Sequence, residues 1–128
     1  MTSAEVDAAL ADRARRVLED AARGGVPVTY RQVAAELSLR PPHTIHRVTR
    51  ALEALMHEDA ERGRPMIAAM VVGKARRGMP APGFFECARR LGRYDGPASG
   101  PEAEAFHAAE LQACIDYWGG GLTRGTAR

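Results

Sequence analysis

The residues between 38 and 59, SLRPPHTIHRVTRALEALMHED, bring His43, His46 and His57 together with Arg40, Arg47 and Arg50. Imidazoles can ligate a metal, and imidazoles with guanidinium groups can hold phosphate. Two ligands from His43 and His46 fit one helical turn. His57 lies about 16 Å further along a helix at 1.5 Å per residue, and no Asp, Glu or Cys joins the pair locally, so a metal centre is not expected. Hydrogen bonding to phosphate, or solvation on an exposed face, are the two remaining readings of these histidines. The thiols offer little chemistry. Cys87 and Cys114 stand far apart in apolar contexts without CxxC spacing, which predicts two core residues of a reduced cytoplasmic protein, with no zinc site and no disulfide framework. No Walker-type glycine loop, nucleophile elbow or acid/base carboxylate pair is present, so no catalytic residue, cofactor or enzymatic activity is expected.

Charge is distributed unevenly. The net charge is only +2 over 128 residues, but residues 31–93 carry 12 basic and 6 acidic side chains, whereas residues 94–128 carry 2 and 5. A basic island of this kind marks a surface facing a polyanion or, alternatively, a solvated arginine-rich face. No apolar run reaches membrane-spanning length, and the first residues, MTSAEVDAALADR, are acidic, which predicts neither membrane contact nor export.

The elements that must position these residues follow from caps and periodicity. Thr2 with Glu5 is a capping box, and apolar residues recur at helical spacing to the Gly24–Gly25 stop, which predicts a helix over 3–23. Residues 26–30, VPVTY, are expected to be extended. Thr29 with Gln32 caps a short helix over 30–37. The Arg40-Pro41-Pro42 segment interrupts the pattern, and a longer helix is expected over 43–62. At about 100° per residue, Ile45, Val48, Leu52, Leu55 and Met56 form one face of that helix, and His43, His46, Arg47, Arg50, Ala54 and His57 the opposite one. Residues 66–74, MIAAMVVGK, have strand character, followed by a basic hairpin turn at 74–78 containing Lys74, Arg76 and Arg77. FFECARRLG predicts a helix with Phe84, Phe85, Ala88 and Leu91 inward and Arg89, Arg90 and Arg93 outward. A last helix is expected over 101–118, and residues 119–128 are expected to be disordered. The chain is thus expected to be one domain over 1–118, mainly α with a small β-hairpin, of winged helix-turn-helix type with extra N- and C-terminal helices.

The segments GVPVTYRQVAAELSL, TIHRVTRAL, RPMIAAMVV and RGMPAPGFFECARRLG, in that order over residues 25–93, resemble the DNA-binding domain of the O6-alkylguanine alkyltransferases and alkyltransferase-like proteins. The resemblance covers a little over half of the chain. It implies a winged-helix core that binds DNA, places Tyr30 at a phosphate-contacting tyrosine and aligns His46 with an arginine finger. It also places Ala68 where the acceptor cysteine stands, which removes the nucleophile and with it alkyl transfer. Thr49 and Arg50 align with glycines that let the family's recognition helix enter the minor groove. A bulky Arg50 obstructs that approach, so major-groove or backbone docking is expected rather than base extrusion.

Duplex DNA is therefore the expected partner, contacted by Tyr30, Arg40, His43, His46, Arg47, Arg50, Lys74, Arg76 and Arg77, and a transcriptional regulator is the expected class. A module for protein contacts, as in a phage or defence system, is the alternative, with a homodimer through 101–118. Trp118 either closes the core or forms that interface.

Overall fold

The computed structural model of the chain describes residues 2–120. Among these the architecture is mainly helical. It comprises α1 (Ser3–Gly24), β1 (Val28–Thr29), α2 (Tyr30–Glu36), α3 (Thr44–Glu61), β2 (Val71–Val72), α4 (Pro82–Arg90) and α5 (Pro101–Cys114). None of its helices is long and apolar enough to cross a membrane.

Both expected capping boxes are present. The Thr2 hydroxyl accepts from the Glu5 N–H at 3.2 Å while the Glu5 carboxylate accepts from the Thr2 N–H at 2.9 Å, and Thr29 and Gln32 repeat the exchange at α2. α1 stops at Gly25, whose φ of 72° is the left-handed conformation that glycine adopts without penalty. It buries Leu10, Ala11, Ala14, Leu18 and Ala22, but none of residues 2–9. Its first two turns therefore overhang the core.

Asp7 pairs with Arg50 and Arg15 with Glu58, so α1 and α3 lie side by side and run in the same direction. α3 contributes Val48, Leu52, Leu55 and Met56 to the core, as its periodicity predicts, with Ala51 buried beside them. Ile45 departs from that stripe and is 45% exposed. It sits one turn before Val48, the first residue of α3 to be buried. Full burial of side chains such as Leu18, Leu55, Met56 and Phe85 stabilises by about 1.5–3 kcal/mol each, more than any surface ion pair, so this core holds the fold.

The segment expected as a strand over 66–74 forms a 3₁₀ turn at Ile67–Met70 and only two residues of strand. Side chains take the backbone groups that a ladder would have used. Asp59 accepts from the Ile67 N–H, Glu110 accepts from the Met66 N–H, His107 Nε2 donates to the Ala69 carbonyl and Cys114 Sγ donates to the Met66 carbonyl, at 2.8–3.1 Å. The sheet also differs from expectation. β1 and β2 pair in parallel, Val28 with Val71 and Thr29 with Val72, and no hairpin forms. Lys74–Arg76 is a 3₁₀ turn, Arg77 and Gly78 are left-handed, and the Gly73 N–H closes the loop on the Met79 carbonyl at 2.8 Å. Pro80 and Pro82 follow at once and lack the N–H donors a returning strand needs.

α4 buries Phe84, Phe85, Cys87 and Ala88, with Arg89 and Arg90 outward. Arg93, expected outward, turns in to donate to the Arg64 carbonyl and to Glu110. α5 keeps α geometry only to Cys114. Ile115–Gly120 is a π turn that seats Trp118, half-buried, against the core. Gly119 and Gly120, expected in the disordered tail, belong to this turn, and the rest of that tail lies outside the described residues.

Candidate nucleic-acid interface

The expected contact residues fall into two groups. The first surrounds Tyr30, which the Thr29 capping box sets at the first position of α2. Its half-buried hydroxyl accepts from the Ala81 N–H at 2.8 Å, and burial pushes its pKa above the usual tyrosine value. Tyr30 is therefore a packing residue whose ring still borders an open groove of about 590 Å³ formed by Thr29, Arg31, Gly73, Lys74, Ala75 and Arg76. Across the 73–79 loop, Arg76 and Arg77 border a second groove of about 630 Å³ that runs past Met79, Pro80 and Pro82 to Ser99 and Gly100. The one loop thus presents Lys74, Arg76 and Arg77 to grooves on both of its sides.

Arg31 was not among the residues singled out from the sequence, although the capping box was. Once the box fixes where α2 begins, Arg31 must follow Tyr30 in its exposed first turn. That register was the available signal.

The second group lies at the start of α3. His43 caps the helix in a left-handed conformation, φ 61°, without a side-chain cap hydrogen bond, and His46 is exposed one turn later. Thr49, one turn beyond His46, lines a cavity of about 80 Å³ with Tyr30, Leu52, Met56, Ala68, Ala81, Gly83 and Phe84. His46, three residues before Thr49, shares its face of α3. Arg47 turns the other way, into a groove of about 400 Å³ shared with Val6, Arg13, Leu37, Leu39 and Arg40. Arg50 is held by Asp7 at 2.8 Å. The polar face expected to be continuous is divided between Tyr30 and α1.

Electrostatic commitment separates the cations. Arg15 and Arg64 converge on the fully buried Asp59, at 2.8 and 2.6 Å, and Arg93 pairs with Glu110. Asp59 lies on the apolar face of α3 and was not foreseen, because a lone acid in a hydrophobic stripe gives no hint of two arginine partners distant in sequence. Arg31, Arg40, Lys74, Arg76 and Arg77 are exposed, and among the described residues none has an ion-pair partner. They offer charge to an outside anion without first giving up an internal one.

Nucleophilic chemistry finds no support in the thiols. Cys87 and Cys114 are buried, and burial raises both pKa values, the reverse of what an attacking thiolate needs. Ala68 is buried at the wall of the 80 Å³ cavity. Among the described residues no group of three or more His, Cys, Asp or Glu side chains could hold a metal ion. No protein-family model, curated protein or solved structure matches the chain.

Proposed function

We propose that the chain is a non-enzymatic duplex-DNA-binding protein of winged-helix type in which the loop over 73–79 takes the place of the hairpin wing, resembling the alkyltransferase-like proteins but without an acceptor thiol, and that it serves as a transcriptional regulator. The observation that carries this reading is the set of cations without an ion-pair partner among the described residues, Arg31, Lys74, Arg76 and Arg77, ranged on the two sides of one loop beside Tyr30. His46 and His43 extend the surface onto α3. Contact is with phosphates and groove edges rather than with an extruded base. The cavity beside Ala68, about 80 Å³, is roughly half the ~150 Å³ that accommodates benzene in an apolar protein interior, so a purine does not enter without rearrangement.

The test is binding of a mixed-sequence duplex by the wild-type chain and by the combined R31A/K74A/R76A variant. Each lost phosphate contact flattens the dependence of log affinity on log salt by about 0.9. The variant is expected to bind weakly, with a slope shallower by roughly 2.7. Equal affinity and slope for both proteins overturn the assignment of this surface.

A homodimer through 101–118 has one observation in its favour, the 56% exposed Tyr117 packed edge-on against Trp118 at 4.6 Å. The outward side chains of α5, among them Glu102, Glu104, Ala105, Ala108 and Gln112, are small or polar. Light scattering of wild type and Y117A distinguishes a dimer from a monomer.

A further inference from the structure

The Asp7–Arg50 pair joins the overhanging start of α1 to the helix assigned to DNA contact. α1 begins in a complete capping box, so the overhang is an ordered helix although none of residues 2–9 is buried. Asp7 Oδ2 lies 2.8 Å from Arg50 Nη2, and Val6 and Ala9 border the groove that holds Arg47. A phosphate approaching Arg50 Nη2 competes with the Asp7 carboxylate for that donor, and Val6 and Ala9 share the wall of the groove in which Arg47 lies. Glu5 adds exposed negative charge in the same two turns. We propose that the N-terminal two turns of α1 are an autoinhibitory element, in which Asp7 competes with DNA phosphate for Arg50.

This inference rests on the DNA-binding reading above and adds its regulation. The side chains of Asp7 and Arg50 are 44% and 59% exposed, so the contact is weak and screened by salt. Exposed pairs of this kind set a ceiling of about fivefold on the affinity that release can restore. The device therefore tunes affinity and does not switch it off.

The experiment measures affinity for one mixed-sequence duplex at low salt with wild type, D7N, D12N, R50A and D7N/R50A. Asp12 is exposed, has no ion-pair partner among the described residues and loses the same charge, which makes D12N the control for net charge. D7N is expected to bind about two- to fivefold more tightly with a steeper salt dependence. D12N is expected to stay near wild type, and D7N is expected to gain nothing once Arg50 is absent. Equal gains in D7N and D12N, a gain that persists in the R50A background, or no gain at all overturn the competitor role while leaving DNA binding standing. Absence of binding by wild type and D7N alike overturns both.

Discussion

Arg77 shows at the scale of one residue how stability and binding pull apart. It holds φ 55°, a left-handed conformation that costs an L-residue roughly 1–2 kcal/mol, in a loop position where glycine would sit without that cost. R77G is expected to stabilise the fold by about 1 kcal/mol in a denaturant titration, partly offset by the greater freedom of glycine in the unfolded chain. The same substitution is expected to flatten the salt dependence of DNA binding by about 0.9. A variant that gains stability and keeps the full slope would show that Arg77 makes no phosphate contact.

His107 gives a second prediction at this scale. Burial outweighs the Ala69 hydrogen bond and holds its pKa below 6.5, with the Phe84 ring on its other side at 6.1 Å. A lowered histidine pKa means that the unfolded chain binds the proton more readily. The stabilising contribution is full above about pH 6.5 and is lost as pH falls toward the lowered folded value. Thermal melts between pH 7 and pH 5 are expected to show a smaller acid-side loss in H107Q than in wild type.

Among the elements, α1, α3 and the 66–70 turn meet at one buried acid. Asp59 gathers Arg15, Arg64 and the Ile67 N–H on one buried carboxylate. Removing it leaves Arg15 and Arg64 with only Glu58, at 2.8 and 3.5 Å, and the Ile67 N–H without its acceptor, and D59A is expected to lose about 3 kcal/mol of stability by chemical denaturation. At the other end of the core, a Cβ at position 119 would fall 2.9 Å from the Ala22 carbonyl oxygen and 3.1 Å from the Arg23 Cα. G119A is expected to cost about 1–3 kcal/mol or to lift the C-terminal turn from α1, read as increased exposure of Trp118 fluorescence.

These same elements mark how far the sequence can be read. The bounds of α1, α2 and α3 are legible to within about one residue, because Thr2, Gly25, Thr29 and the α3 apolar spacing are local signals, whereas α4 starts two residues before the expected Phe84 and α5 ends four before the expected Trp118. The 66–74 segment was not, because its apolar run is equally consistent with any fully buried backbone. Its conformation is decided by Asp59, Glu110, His107 and Cys114, which lie elsewhere in the chain. The hairpin failed for a reason visible in Pro80 and Pro82, whose missing donors outweigh the turn signal at Gly78. Of the candidate surface, the basic loop and His46 could be read directly. The diversion of Arg50 to Asp7 depends on the packing of α1 along α3, which no local pattern encodes.

For the whole molecule, the charge distribution separates structural from available cations. Arg15, Arg64 and Arg93 are bound into the interior, whereas the loop at 73–79 and the start of α2 hold exposed cations without an ion-pair partner among the described residues, as do Arg16, Arg62, Arg89 and Arg90 elsewhere on the surface. On the proposed reading the surface around the 73–79 loop binds duplex DNA through about six charges. The most direct test is the affinity of the full chain for a random-sequence duplex pool across a range of salt concentrations. The predicted result is a log–log slope of about −5; a flat response, or no binding at the lowest salt, would contradict the account.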